Sequence, residues 1–174
     1  MSAPTTFTLR HATEDDHAVI ADVVDHWFGG KRVAAHAGRT WFRHFGGTSW
    51  VAVGDERRPR GFLLGFVSAD RPGEGVIQLI GVDPRHRRRG VGRSLVDAFV
   101  EEAEAGGCRL VTAVAWPDEP IALAFFRGLG FEPDDRPGTQ RLFGVPAYPS
   151  WDGPGEDRAV LRRWIGPADT QTER

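Results

Sequence analysis

Cysteine, lysine and tyrosine occur once each in this chain of 174 residues, as Cys108, Lys31 and Tyr148. A lone cysteine excludes an intramolecular disulfide, and without paired Cys/His spacing no structural zinc or other metal site is expected. Cys108 opens an apolar run and reads as a core residue before a nucleophile. With lysine at one of 22 basic positions, contacts to phosphate fall to arginine. Long apolar runs are missing too: nowhere do eighteen apolar residues stand together, so no membrane-spanning helix is expected. Residues 1–6 carry neither the basic start nor the apolar stretch of a leader. The expectation is a soluble, cytoplasmic protein with no membrane partner. There is also no excess of positive charge. A net charge of −2 and an isoelectric point near 6.3 argue against a nucleic-acid partner.

At 40% hydrophobic residues the chain can bury a core without disulfides or metals. No repeat or second composition divides it. A single domain over residues 1–165 is expected, with a polar tail over 166–174.

The most informative stretch is 82–95, V-D-P-R-H-R-R-R-G-V-G-R-S-L. An apolar run over 76–82 leads into it, and Val91, Leu95 and Phe99 recur at four-residue intervals beyond it, which reads as strand, tight turn and helix. Gly90 and Gly92 let the backbone turn its N–H groups outward where the helix begins. Unpaired amides and the positive end of the helix dipole together make an anion site. Arg85, Arg87, Arg88, Arg89 and Arg93 surround it with planar donors suited to phosphate oxygens. The dinucleotide fingerprint does not fit, because its third glycine would fall at Leu95, and no Gly-Lys-Ser/Thr follows as a P-loop requires. The expectation is a pyrophosphate cradle.

Along the chain, a short strand near Phe7 and Leu9 precedes a helix capped by Thr13, with Glu14, Asp15 and Asp16 in its first turn. Val19, Ile20, Val23, Val24 and Trp27 give that helix its apolar spacing, and Gly29-Gly30 ends it. A second helix is expected over 39–45. Strands over 49–53, 62–67 and 76–82, separated by polar turns, suggest an antiparallel meander. A helix over 91–105 ends at Gly106-Gly107, and 110–115 reads as a buried strand. Another helix starts at Pro120, with Asp118 or Glu119 near its cap, and runs to about Gly128. Residues 133–157 are rich in proline and glycine, with one strand expected near 141–145. The last strand is expected over 157–165, Ala159, Val160, Leu161, Trp164 and Ile165 supplying its apolar positions.

Val82-Asp83-Pro84, followed by Arg87-x-x-Gly90-x-Gly92 and Leu95, resembles the acetyl-coenzyme A motif of the GNAT N-acetyltransferase superfamily. A-L-A-F-F-R-G-L-G-F over 122–131 resembles that family's later helix and its Gly-Phe ending. The resemblance implies an α/β fold with a central mixed, mostly antiparallel sheet, splayed at the acyl-coenzyme A site, and helices on both faces. It implies acetyl-coenzyme A as acyl donor, no metal, and direct transfer to the amine of a small molecule. It puts the backbone of Arg87, Arg88, Arg89, Gly90, Val91 and Gly92, extending to Arg93 and Ser94, around the pyrophosphate. The main chain of Ile80, Gly81 and Val82 would line the pantetheine arm, with an amide at or near Val82 facing the thioester oxygen. A homodimer is a family-level expectation.

Three positions depart from the family's pattern. Its proton-donating tyrosine falls at Phe126, which counts among the coenzyme contacts but has no proton to give. General acid help is worth roughly 10² to 10⁴-fold, so its loss need not abolish turnover; water, Tyr148 and Ser94 are the candidate substitutes. Glu119 stands where many members have asparagine, and reads as a helix cap before a contact to a cationic substrate. Gln78 stands where a number of members carry glutamate; it can orient a water but cannot accept the ammonium proton. Glu74, Asp70, His44 and His36 are candidate ends of a water chain. Acceptor selection is expected from the early helices and the late loop, where Tyr148, Trp151, Asp152, Glu156 and Asp157 suit a cationic amine with an apolar body. The other reading of that loop is a rigid structural one, with Asp157 and Arg158 paired to each other or to neighbours. Two rival functions stand beside the first: acetylation of a protein N-terminus or lysine, and non-catalytic acyl-coenzyme A sensing.

Overall fold

Ile77, Leu79 and Gly81 are buried while Val76, Gln78, Ile80 and Val82 are half-buried, an alternation that defines strand β4, Glu74–Val82, leading into the arginine turn. The computed structural model describes residues 6–54 and 56–166, so the expected tail lies outside the described residues except for Gly166. The chain divides into two compact units, residues 1–66 with 76–101 and residues 67–75 with 102–174.

The first unit holds β1 (Thr8–His11), α1 (Asp16–Trp27), α2 (Arg39–His44), β2 (Trp50–Val53), β3 (Pro59–Val67) and β4, with α3 (Val91–Ala105) following the turn. Its strands lie in the order β1-β2-β3-β4. β1 pairs with β2, and β2 with β3, antiparallel, with Leu9 opposite Ala52 and Val51 opposite Phe62. Helix α3 buries Val91, Leu95 and Phe99, with Val96, Val100 and Ala103 on the adjoining rows. Each large apolar side chain removed from water contributes about 1.5–3 kcal/mol. The helix lies close over β3 because two glycines admit it. A Cβ at Gly61 would stand 2.9 Å from Val91 Cγ1, and one at Gly65 would stand 2.5 Å from the Phe99 ring. That contact fixes where the N-terminus of α3 points.

Helix α1 differs from expectation at its start. Thr13 is not the cap: the helix begins at Asp16, whose carboxylate reaches back to accept the Thr13 N–H at 2.8 Å and the Thr13 hydroxyl at 3.1 Å. Asp16 is buried and needs partners for its charge. Arg10 supplies two, at 2.8 and 2.7 Å.

The second unit holds β5 (Leu110–Ala115), α4 (Pro120–Gly128), β6 (Glu132–Pro133), β7 (Gln140–Leu142), β8 (Val145–Ala147) and β9 (Ala159–Trp164). Here β9 lies between β5 and β6, antiparallel to both, with Ala113 and Pro133 each opposite Leu161. The single strand expected over 141–145 is instead a hairpin, β7–β8, folded about Phe143 and Gly144 at φ 51° and 83°. Two consecutive positive φ values are the signature of the tight turn that matches strand twist. Trp164, read as one of the last strand's apolar positions, is 72% exposed, with the Arg162 guanidinium 5.6 Å from the centre of its ring. Glu119 occupies the N-cap position of α4 but makes no side-chain cap bond, so Pro120 at the first turn marks the start. Helix α3 ends as read: Gly107 takes φ 88° and the Cys108 N–H returns to the Ala103 carbonyl. The mixed α/β class and the mostly antiparallel strands agree with the sequence reading. Among the described residues no helix is long and apolar enough to cross a membrane.

Candidate active site

The chain leaves β4 at Val82 and enters α3 at Val91 through a short 3-10 turn, Pro84–His86, and the arginine turn. Asp83 opens it and is 4% exposed. Its N–H donates to the Arg60 carbonyl of β3 at 2.9 Å, and its carboxylate accepts the Arg85 N–H at 2.9 Å and the Arg85 Nη2 at 2.7 Å. The Arg85 hydrogen bonds hold the Asp83 carboxyl below the usual carboxylate range, against burial that pushes it up. Arg88 and Gly90 then take positive φ, 59° and 84°. A Cβ at Gly90 would meet nothing within 4 Å, so this glycine is needed for its backbone angle and not for room.

Ser94 donates its N–H to the Gly90 carbonyl at 2.9 Å and closes the first turn of α3. The N–H groups of Val91, Gly92 and Arg93 have no acceptor among the described residues. Three such amides at the positive end of a 15-residue helix attract an oxyanion. Arg88 and Arg93 are exposed and make no side-chain hydrogen bond or ion pair among the described residues. Arg85 is spent on Asp83, and Arg87 donates to two backbone carbonyls, those of Val82 at 3.2 Å and of Trp27. Of the five arginines read from sequence as phosphate donors, the structure gives two to the protein's own carbonyl and carboxylate oxygens. The three amides and the Arg88 and Arg93 guanidinium groups fit a diphosphate.

Gln78 lies on the half-buried face of β4 with Ile80 and Val82, and its carboxamide has no hydrogen-bond partner among the described residues. Of the proposed water-chain ends, Glu74 accepts a hydrogen bond from the Thr112 hydroxyl at 2.9 Å, while Asp70 and His44 are exposed. Phe126, at 2% exposure, is core: its ring packs 5.2 Å from Phe125 and 5.3 Å from Phe131. Tyr148 donates its hydroxyl to the buried Asp134 at 3.0 Å. Burial, then that bond and the negative charge of Asp134, raise the Tyr148 phenol above its ordinary value, which makes it a weaker acid. Cys108 is buried with its thiol likewise pushed up, a core residue as read.

The late loop is braced by its own charges. Arg158, 3% exposed, holds Asp152 and Glu156, each at 2.9 Å, and its guanidinium stands 4.5 Å from the centre of the Trp116 ring. Asp157 accepts the Ser150 N–H at 2.8 Å. All three loop acids are thus engaged, which favours the structural reading of this loop over an open cation site. Two features escaped the sequence. One is the Asp134–Arg136 pair beside Tyr148, at 2.6 Å. The other is an open cleft of about 560 Å³ between α4 and the β7–β8 turn, walled by Leu123, Phe143 and Val145 and carrying Asp118 and Arg127. Among the described residues no group of three or more His, Cys, Asp or Glu is placed to hold a metal ion.

A mixed α/β fold with an amide-lined arginine turn between a central strand and a helix defines a class of acyl-coenzyme A enzymes. Residues 11–131 match the acetyltransferase (GNAT) family, and the chain belongs to it. It is 30% identical over 128 residues to the L-2,4-diaminobutyric acid acetyltransferase of Streptomyces coelicolor, 73% of each chain. Among solved structures it is similar in fold to Ard1 from Thermoplasma volcanium, with a TM-score of 0.74 and 20% identity over 92% of this chain and 99% of that one. It is likewise similar to a diaminobutyrate acetyltransferase from Paenibacillus lautus in complex with L-2,4-diaminobutyric acid and coenzyme A, with a TM-score of 0.69 and 15% identity over 95% and 99% of the two chains.

Proposed function

We propose that this acetyltransferase moves an acetyl group from acetyl-coenzyme A directly to the amine of a small molecule. The observation that carries the reading is the turn over 87–93, where three helix-end amides lie next to a positive-φ glycine and two uncommitted arginines. The amides of Val91, Gly92 and Arg93 hold the pyrophosphate, with the backbone of 87–90 beside them and the Arg88 and Arg93 guanidinium groups supplying charge. The main chain of Ile80, Gly81 and Val82 lines the pantetheine arm. The Asp83 N–H is given to β3, so by the alternation of a strand the Val82 N–H faces away from β3 and is the amide assigned to the thioester oxygen.

Acetyl-coenzyme A, when bound, supplies an activated acyl carbon. The lone pair of the amine forms the new C–N bond as the C–S bond breaks. The surplus proton of the nitrogen passes to water, and the thiolate takes a proton in return. Gln78, with an unpartnered carboxamide, orients the water that receives the proton. Water is also assigned as the thiolate's donor, with the Ser94 hydroxyl second, because Tyr148 is held by Asp134 and made less acidic and Phe126 has no proton. Short aliphatic diamino acids are the first acceptors to try, since a relative named for one shares 30% identity with this chain. Mass spectrometry of reactions offered equal amounts of 2,4-diaminobutyrate and a short unblocked peptide tests the acceptor class. Acetylation of the diamino acid is expected; acetylation of the peptide alone would replace this reading with the protein-directed one.

A further inference from the structure

We infer that Arg87 is a positioning residue whose guanidinium latches the anion-binding turn to the end of helix α1, and that it does not hold phosphate itself. The inference rests on the coenzyme assignment above but concerns a side chain that assignment leaves aside. Arg87 is followed by a backbone whose shape is unusual for non-glycine residues, Arg88 at φ 59° and Gly90 at φ 84°, and such a turn keeps one conformation only if its neighbours hold it. The Arg87 side chain supplies the hold. Its Nε donates to the carbonyl of Val82, the last residue of β4, and its Nη2 donates to the carbonyl of Trp27, the last residue of α1. A cation at a helix C-terminus meets the negative end of the dipole and one of the four carbonyls the helix leaves unpaired.

The same end of α1 is fitted to the same end of β4 by a second contact. A Cβ on Gly81 would stand 2.7 Å from the Phe62 ring and 3.1 Å from the Phe28 ring, so a glycine before Val82 is what lets Phe28 settle there. The segment after Phe28 is in turn tied down by Asp25, whose carboxylate accepts the N–H of Val33 at 2.7 Å and of Ala34 at 2.8 Å. Ordering the turn around a diphosphate therefore orders the end of α1 and the residues that follow it, through one forked side chain. Only arginine presents two donors in a fixed plane; lysine keeps the charge and loses the fork.

Amide hydrogen exchange in Arg87→Lys separates the latch from a phosphate contact, because lysine keeps the charge and hence the salt dependence under either reading. Coenzyme A affinity is measured by calorimetry over a range of salt concentrations, and amide hydrogen exchange is followed over 26–34 and 87–94 with and without coenzyme A. The latch predicts that Arg87→Lys binds about tenfold more weakly, the scale of losing hydrogen bonds to a charged donor, with the salt dependence of the wild type. It also predicts that coenzyme A slows exchange over both segments in the wild type but only over 87–94 in the variant. Wild-type affinity in Arg87→Lys would show that charge alone matters and overturn the inference. Protection confined to 87–94 in the wild type overturns it without any variant, should the substitution impair folding. A wild-type protein that binds no coenzyme A removes the coenzyme reading and this inference with it, a result distinct from the other two.

Discussion

Asp83 and Asp134 are buried carboxylates, each gripped by the arginine two positions on, at 2.7 Å and 2.6 Å. For Asp83 the Arg85 hydrogen bonds dominate; for Asp134 burial pushes the other way and is outweighed by Arg136 and Tyr148. Asp16 is held low in the same manner by Arg10 and Thr13, again against burial. All three folded values lie below the unfolded one of about 3.9. Their stabilisation is fully present above that pH and is lost as pH falls through the depressed values. Urea midpoints are accordingly expected to hold from neutral pH to about 5 and to drop below about 4; a midpoint that rises on acidification contradicts this. Tyr148→Phe removes one hydrogen bond to a charged acceptor and is expected to cost about 1.5–3 kcal/mol in denaturant melts, with turnover unchanged. A large fall in kcat would restore Tyr148 as the proton donor. The Asp-x-Arg spacing of both pairs is plain in the sequence, but only burial shows that it matters, and burial of a polar side chain is not written in local periodicity.

At the scale of elements, α3, β5 and α4 have the bounds read from sequence because apolar spacing and Gly/Pro punctuation agree there: Gly106-Gly107 after one helix, Pro120 before the next. The β7–β8 hairpin was hidden because its turn carries Phe143 where such a turn ordinarily shows asparagine. Phe143 is 75% exposed at φ 51°, so Phe143→Asn is expected to raise stability by about 0.5–1 kcal/mol, read as a higher melting temperature. No gain would mean that the ring contributes packing across the cleft it borders. The seat of α3 on β3 gives the opposite case. Gly65→Ala places a Cβ 2.5 Å from the Phe99 ring and 2.9 Å from the Val76 carbonyl, and a loss of about 1–3 kcal/mol is expected from the same melts. A neutral Gly65→Ala would show that Phe99 can move aside and that the helix is not fixed by this contact.

For the molecule as a whole, the cradle was legible because glycine and arginine at fixed spacing state a backbone geometry and a charge at once, and both are local. The proton path was not. Gln78 and Ser94 fall in the first unit, Phe126 and Tyr148 in the second, and whether a hydroxyl is free or already donated depends on residues far along the chain, as Asp134 decides for Tyr148. The arginines divide the same way: sequence counts five near the turn, and the fold commits Arg85 and Arg87 to the protein itself. The most direct measurement of the central claim is release of free coenzyme A from acetyl-coenzyme A, followed with a thiol reagent, across diamino acids, polyamines, aminoglycosides, aryl-alkyl amines and short peptides. Amine-dependent release with one small-molecule class, abolished in Gly92→Trp, is the predicted result. Coenzyme A binding by calorimetry with no release for any amine would contradict it and leave an acyl-coenzyme A sensor in its place.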